Sequence, residues 1–133
     1  MLDPRQEVNI PATVQFLKLT TAAPLPAEEF EQAFAYTMAV SPEVRLGLLS
    51  RKIDGNDALA KITVPVLISH GQKDIMVLLA SGDYIASKIK QAKKSYYPDA
   101  GHIPFMENPE RFNKELPNWQ AKSADRVEYS GRS

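Results

Sequence analysis

The sequence has no cysteine among its 133 residues, which excludes disulfide bonds, a thiolate nucleophile and a metal site built on cysteine ligands. Net charge is also absent, because 16 Lys and Arg residues balance 16 Asp and Glu residues. We therefore expect no binding to nucleic acid or to an anionic membrane surface. The two histidines lie far apart in the sequence and lack the close spacing of paired metal ligands, so we expect no metal site.

Long apolar runs are missing as well. No stretch approaches the roughly 18 apolar residues that a membrane-spanning helix requires. The opening residues MLDPRQEVNIP have neither the basic head nor the apolar stretch of a secretory signal. Hydrophobic residues make up 44% of the chain and charged residues 24%, which is typical of one globular domain with a modest core. We expect a soluble protein of the cytoplasm without membrane contact.

The clearest pattern in the sequence is strand, helix, strand. Residues 64–69 are apolar on both faces, as in a strand buried in a parallel sheet, and Pro65 stands at the strand entrance, where proline is tolerated. Residues 78–93 have the apolar spacing of an amphipathic helix, and residues 95–97 form a second short strand that Pro98 ends. This order predicts an α/β fold with two short parallel strands flanked by helices.

Each predicted strand ends in a loop that carries a titratable side chain. Asp74 follows the first strand and His102 follows the second. Because the carboxyl ends of parallel strands meet at the same edge of a sheet, we expect these two side chains to lie close together. A carboxylate beside an imidazole fixes its tautomer and stabilises the imidazolium that forms when the ring accepts a proton. The other histidine, His70, is interpreted as a packed, hydrogen-bonded residue.

Amphipathic helices are predicted before the first strand. A helix that begins at Ala27 carries an apolar face with a period of four residues. Ser41 and Pro42 have the composition of an N-cap followed by a first-turn proline, which predicts a second helix. Residues 1–25 are weakly patterned, with a short helix opened by Pro11. The apolar face of the helix that begins at Ala27 consists of Phe30, Phe34 and Met38.

The last part of the chain changes character at Pro117. Asn108-Pro109-Glu110 opens a final helix with a capping residue and a first-turn proline. Residues 117–133 have few apolar side chains, and we predict a mobile polar tail there.

Several motifs in this order resemble the carboxyl-terminal portion of an α/β-hydrolase. The segments that carry the resemblance are LAKITVPVLISHGQKDIMV and YYPDAGHIPFMENPERFNKEL. They match the G-x-x-D turn, the G-H loop and the N/Q-P-E helix start of that family at Gly71 to Asp74, Gly101-His102 and Asn108 to Glu110. Residues 27–57 are similar to the helical cap of capped members. The resemblance implies a partial α/β-hydrolase fold, with a cap-like segment (1–57), a carboxyl-terminal core part (58–116) and a polar tail (117–133).

The resemblance also implies roles for individual residues. Asp74 would be the acid of a catalytic triad and His102 its general base, in the hydrolysis of an ester, a lactone or a similar small substrate. The family needs no dissociable cofactor for this reaction. The apolar side chains Phe30, Phe34 and Met38 of the cap-like segment are candidates for substrate contact.

The nucleophile of such a triad is missing from the sequence. None of the nine serines lies in a G-x-S-x-G elbow; Ser69 comes closest, but Leu67 stands where the first glycine belongs. A glycine-rich loop for an oxyanion hole is missing too. We therefore expect the chain to be inactive alone, as a truncated product, the product of a mis-called start, or a part that a second chain completes.

Other interpretations remain open. One is a non-catalytic binding or interaction module derived from the same fold, and another is an independent enzyme that uses Ser69 or Ser41 as nucleophile. Two short strands are fewer than a stable open sheet normally has, and the first would present an unpaired apolar edge. We therefore expect the isolated chain to be marginally stable, to form a homo-oligomer, or to depend on a complementing chain.

Overall fold

Helices precede and then alternate with two strands in a computed structural model, which describes residues 1–52 and 54–130, with side chains as far as residue 121. The elements in chain order are α1 (Gln6–Leu19), α2 (Ala27–Ala39), α3 (Pro42–Leu49), α4 (Asn56–Ala60), β1 (Val66–Gly71), α5 (Leu79–Lys88), β2 (Ala92–Tyr97), α6 (Pro104–Glu107) and α7 (Pro109–Ser130). Among the described residues, no helix has the length and apolar character needed to cross a bilayer.

The two strands are parallel, as the sequence predicts. Val66 lies opposite Ala92 and Gly71 lies opposite Tyr97, with α5 between the strands in sequence. β1 begins only after Pro65, because a proline cannot donate a main-chain hydrogen bond to the ladder. β2 is longer than predicted and α5 correspondingly shorter, since pairing with β1 draws residues 92–94 into the sheet. The predicted α/β class is confirmed, with strand bounds shifted by two or three residues.

Helix α7 covers β2 through polar contacts around a buried tyrosine. Tyr97 is 1% exposed, and its hydroxyl donates to Glu115 Oε2 at 2.8 Å. The guanidinium of Arg111 lies 4.0 Å from the centre of the Tyr97 ring, where it interacts with the electron-rich face. Ser95 also donates to Glu115 Oε2, at 2.7 Å. These contacts fix the end of β2, which leads directly into the loop that carries His102.

A buried arginine joins the helices of the amino-terminal part. Arg45 of α3 is 5% exposed. Its Nη1 donates to the carbonyl oxygen of Met1 at 2.7 Å and to Asn9 Oδ1 at 3.1 Å, and its Nε donates to the carbonyl oxygen of Val40 at 2.9 Å. A buried cation is tolerated when its donors are satisfied. Arg45 therefore ties α3 to α1 and to the first residue of the chain.

Two helices differ from the sequence prediction. Helix α1 begins at Gln6 rather than at Pro11, which lies inside it; the buried contacts of Asn9 and Thr13 with Arg45 outweigh the hydrogen bond that the proline loses. Helix α7 continues through Pro117 to Ser130, into the segment for which a mobile polar tail is predicted; the mobility of this segment stays a prediction. The prediction rested on low apolar content, whereas Gln, Ala, Lys, Arg and Glu in this segment favour a helix. Residues 131–133 lie outside the described residues.

Two predicted helix starts are confirmed. The hydroxyl of Ser41 accepts a hydrogen bond from the Val44 N–H at 3.4 Å, at the start of α3. Asn108 Oδ1 accepts one from the Arg111 N–H at 3.2 Å, at the start of α7. In both cases the short polar side chain satisfies a main-chain donor that the helix cannot satisfy itself.

Candidate active site

The end of β1 touches the loop that follows β2. The main-chain N–H groups of Gln72 and Lys73 donate to the carbonyl oxygens of Tyr97 and Ala100, at 2.9 and 3.0 Å. Gly71 permits this approach, because a Cβ atom at that position would overlap the carbonyl oxygens of Ala100 and Gly101. The loops that carry Asp74 and His102 are therefore held against each other, main chain to main chain.

This contact brings Asp74 and His102 together. Asp74 Oδ2 lies 2.9 Å from His102 Nδ1, while Asp74 Oδ1 accepts hydrogen bonds from the N–H groups of Met76 and Val77 at 2.8 and 2.9 Å. The Asp74 side chain is 3% exposed and the His102 side chain 37% exposed. The acid is thus enclosed and fully hydrogen-bonded, whereas the imidazole faces solvent on one side.

The hydrogen bonds of Asp74 determine its charge and the tautomer of His102. Burial by itself raises the pKa of Asp74, but hydrogen bonds from Val77 N–H, from His102 and from Met76 N–H outweigh it and leave this pKa below its usual value. Asp74 is therefore ionised near neutral pH and can only accept hydrogen bonds. It follows that Nδ1 of His102 carries the proton and that Nε2 has the lone pair of a general base.

The second histidine approaches the same carboxylate. His70 Nε2 lies 2.8 Å from the carbonyl oxygen of Val77 and 3.4 Å from Asp74 Oδ2. A carbonyl only accepts, so Nε2 of His70 carries a proton that is engaged with Val77 and directed at Asp74. The interpretation of His70 as a packed, hydrogen-bonded residue is confirmed. The sequence did not reveal its proximity to Asp74.

The low pKa of Asp74 predicts a loss of stability in acid. A carboxyl group with a lower pKa in the folded than in the unfolded chain stabilises the fold above the unfolded pKa, about 3.9 for Asp. That contribution disappears as the pH falls from there through the lower folded value. We expect the free energy of unfolding to drop below about pH 4. In Asp74→Asn this drop should be smaller, as measured by urea unfolding between pH 2.5 and 7, whereas Asp99→Asn, which removes an exposed carboxylate, should retain it.

A groove lies beside residues 100–103, which are called the histidine loop below. It has a volume of about 710 Å³ and runs between the end of α1 and the start of α2. Residues 21–23 form part of its wall. The preceding residue, Thr20, contacts the histidine loop, since its carbonyl oxygen accepts the His102 N–H at 2.8 Å. Of the three predicted substrate-contact residues, Phe30 lines this groove, whereas Phe34 and Met38 lie half-buried elsewhere on the same face of α2. Their role in substrate binding stays a prediction.

Glu107 contacts the histidine loop and was not singled out from the sequence. Its two carboxylate oxygens accept the main-chain N–H groups of Gly101 and Ala22, each at 2.6 Å. Ala22 and Glu107 are 85 residues apart, so no local spacing could have indicated the contact. Metal-binding clusters of three or more His, Asp or Glu side chains are not found in the described part of the chain.

The sequence is similar to that of curated esterases over part of its length. It is 33% identical over 57 residues to a pimeloyl-[acyl-carrier protein] methyl ester esterase of Aromatoleum aromaticum, and 32% identical over 54 residues to one of Nitrosomonas europaea. These matches cover 43% and 41% of this chain but only 23% and 21% of the two esterases. No protein-family model matches the sequence.

Solved structures of α/β-hydrolase esterases superpose on most of this chain. A Burkholderia cenocepacia protein, assigned provisionally as an aryl esterase, matches 94% of the chain with a TM-score of 0.87 and 25% identity. The esterase RhEst1 of a Rhodococcus species matches 92% with a TM-score of 0.84 and 28% identity. The chain spans only 46% and 45% of these two structures. The chain therefore corresponds to slightly less than half of each of these two structures.

Proposed function

This chain belongs to the α/β-hydrolase family, and we propose that it supplies the acid Asp74 and the base His102 of a catalytic triad for ester hydrolysis. The observation that carries the proposal is the 2.9 Å contact between Asp74 Oδ2 and His102 Nδ1, formed where two adjacent parallel strands end. Several of the similar proteins are named as esterases, which supports an ester, a lactone or a similar small acyl compound as the substrate. The proposal involves no dissociable cofactor.

The geometry favours His102 as a proton carrier in two half-reactions. Nε2 accepts the proton of a serine hydroxyl as its oxygen attacks the ester carbonyl carbon, and Asp74 stabilises the imidazolium. Nε2 then gives this proton to the leaving alcohol oxygen as the ester bond breaks and an acyl-serine forms. In the second half, a water molecule loses a proton to Nε2 and attacks the acyl-serine, which releases the carboxylic acid and returns the proton to serine.

The nucleophile must come from outside these 133 residues. No serine in the sequence has the G-x-S-x-G context that exposes a nucleophile on a strained turn. We therefore propose that an amino-terminal half, on a second polypeptide or on a longer form of this chain, contributes the serine and the oxyanion donors. The combination of this chain with such a half is called the completed enzyme below.

The open edge of β1 is the proposed site for that half. Among the described strands, β1 pairs with β2 alone, so its other edge carries main-chain N–H and C=O groups without a strand partner. Large apolar side chains are exposed near both ends of this strand, including Val64 at 64% and Ile75 at 64%. A further parallel strand would satisfy the edge and shield part of this surface. The length of the similar solved structures beyond the matched region, more than half of each, supports such a partner.

The isolated chain is accordingly expected to be marginally stable or to self-associate. A sheet of only two strands buries too little apolar surface to be stable as an open sheet. Light scattering after size-exclusion chromatography should detect oligomers, or thermal unfolding should be broad and depend on protein concentration. A sharp unfolding transition of a proven monomer, at a temperature independent of concentration, would contradict this expectation.

A complementation assay tests the proposed function. The chain is mixed with the amino-terminal half of a similar esterase, which carries the G-x-S-x-G serine, and hydrolysis of a chromogenic short-chain ester is measured. We expect activity from the mixture and loss of it in His102→Ala. The control Lys90→Ala changes an exposed residue beyond α5 and should leave the activity unchanged. Equal activity of the mixture with wild-type chain and with His102→Ala would exclude His102 from the reaction.

A second candidate function is that of a non-catalytic interaction module. The open edge of β1 is the observation that favours it. On this interpretation the chain binds a partner through the edge, and Asp74 and His102 take no part in a reaction. Binding of the amino-terminal half without ester hydrolysis, at an affinity that His102→Ala leaves unchanged, would favour the module over the hydrolase.

A further inference from the structure

We propose that Glu107 is a positioning residue that locks the histidine loop onto the segment after α1. The segment after α1 consists of residues 20–23, and the histidine loop of residues 100–103, as above. This inference rests on the proposed function in one respect, the role of His102 as base. Glu107 itself does not touch the reacting atoms. It acts through its hydrogen bonds to the main chain of the histidine loop and of the segment after α1.

The carboxylate of Glu107 bridges two parts of the chain that are remote in sequence. One oxygen accepts the Gly101 N–H and the other accepts the Ala22 N–H, both at 2.6 Å. Hydrogen bonds from main-chain N–H groups to a carboxylate are shorter and stronger than those between neutral groups. A single side chain thus satisfies one donor in each segment, and the two segments cannot separate without breaking at least one of these bonds.

The base itself is tied to the same segment. The N–H of His102 donates to the carbonyl oxygen of Thr20 at 2.8 Å. Gly101 allows this close approach, since a Cβ atom at Gly101 would lie 2.9 Å from the nitrogen of Ala22 and 3.0 Å from the carbonyl carbon of Thr21. Three main-chain N–H groups therefore donate within one cluster. Those of Gly101 and Ala22 donate to the Glu107 carboxylate, and that of His102 donates to a main-chain carbonyl.

Helix α6 places Glu107 where it can do this. The helix begins two residues after His102 and ends at Glu107, so the carboxylate returns to the loop from which its own helix departs. The His102 side chain is partly exposed and its ring is held by a hydrogen bond to Asp74 on one nitrogen. The main-chain bonds of Gln72 and Lys73 hold this loop against the loop of Asp74, and Glu107 adds an anchor on the side of the segment after α1. Glu107 thereby helps to keep the ring at the 2.9 Å distance from Asp74. Displacements near 1 Å already reduce catalysis strongly.

The arrangement also couples the base to the groove. Thr21, Ala22 and Ala23 line the groove that Phe30 reaches, and Ala22 is the residue that Glu107 binds. A ligand that displaces Ala22 would also displace the Glu107 carboxylate and, through its second hydrogen bond, Gly101. Glu107 therefore links the groove that Phe30 lines to the position of the proposed base.

Hydrogen exchange and imidazole NMR on the full chain test the proposal. In Glu107→Gln the amide keeps one acceptor oxygen, so at least one of the amides of Gly101 and Ala22 should exchange on the order of tenfold faster. In Glu107→Ala both should. The His102 ring nitrogen signals should also shift as the contact with Asp74 loosens. The matched control Glu110→Gln changes an exposed carboxylate at the start of α7 and should alter none of these signals.

The exchange rate of an amide in β1 distinguishes a local effect of Glu107 on the histidine loop from a general loss of stability. The amide of Ile68, within the paired strands, should exchange at an unchanged rate in the Glu107 variants. Equal acceleration of Ile68, Gly101 and Ala22, or no acceleration at all, would overturn the proposal, as would unchanged ring signals of His102. If the variants do not fold, the wild-type chain decides. Its Gly101 and Ala22 amides should exchange at least about tenfold more slowly than expected for unprotected amides, and an unprotected rate would overturn the proposal.

These measurements need no hydrolysis. A negative result at Glu107 would not contradict the proposal of ester hydrolysis by the completed enzyme. A completed enzyme without activity would not change the exchange rates measured for the Glu107 variants.

Discussion

Replacement of Asp74 with asparagine is expected to lower ester hydrolysis by the completed enzyme about 10³- to 10⁴-fold. In Asp74→Asn the amide oxygen takes the place of Oδ1, where it still accepts from the N–H groups of Met76 and Val77. The NH₂ group then faces Nδ1 of His102. An NH₂ group only donates, so Nδ1 must become the acceptor and the ring proton moves to Nε2. The base loses the lone pair that would receive the serine proton.

The measurement is kcat/KM for a chromogenic ester over a range of pH, together with the unfolding midpoint. The matched control is Asp99→Asn, which removes an exposed carboxylate that pairs with Lys73, close in sequence to the histidine loop. It should retain activity within about twofold, since exposed ion pairs contribute little. If Asp74→Asn retains activity comparable to the control, Asp74 is not the acid of a triad.

The second large effect is expected from Gly71→Ala. The added methyl group would overlap the carbonyl oxygens of Gly101 and Ala100, which are main-chain atoms and cannot rotate away as a side chain could. The end of β1 and the histidine loop must then move apart. We expect a loss of about 3 kcal/mol or more in the free energy of unfolding, measured by urea unfolding with the completed enzyme or the isolated chain. The contact between Asp74 and His102 should be lost with it.

Gly47→Ala is the control for a glycine replacement in itself. Gly47 lies inside α3, and a Cβ atom there meets nothing within 4 Å. Alanine has the higher helix propensity, so this variant should be more stable by about 0.5–1 kcal/mol. The two substitutions add the same methyl group and are expected to have opposite effects. If Gly71→Ala is as stable as wild type, the main-chain contact between the two loops is not rigid.

The sequence predicted the strand–helix–strand unit better than the helices α1 and α7. Strand, helix and strand alternate from Val66 to Tyr97 as predicted, because period and turn residues are local signals. The predicted start of α1 and the predicted end of α7 were wrong. Both helices contain a proline, and other interactions of the helix outweigh the main-chain hydrogen bond that the proline loses. The burial of Arg45 was not predicted either, since nothing near it in sequence shows that Asn9 and the carbonyl group of Met1 supply two of its acceptors.

The candidate site shows the same division. Order along the chain, a strand followed by an acid and a strand followed by a histidine, was enough to single out Asp74 and His102, and the family resemblance is confirmed by the similar esterases. Their catalytic roles stay predictions, as do the substrate contacts of Phe34 and Met38. The contact of Glu107 with Ala22 could not be inferred, because the two residues are 85 positions apart. His70 lies only four residues before Asp74, but the sequence does not show that the turn between them brings the two side chains together.

By itself, the sequence determined the fold class, the strands that Asp74 and His102 follow, and the absence of a serine in a G-x-S-x-G context. Each of these depends on residue type and short-range order, which the chain carries before it folds. Only the tertiary structure decided that Gly71 and Gly101 let three main-chain segments meet, and that one carboxylate, Glu107, bonds two of them. Such contacts join residues up to 85 positions apart, and their geometry exists only once strands and helices have packed.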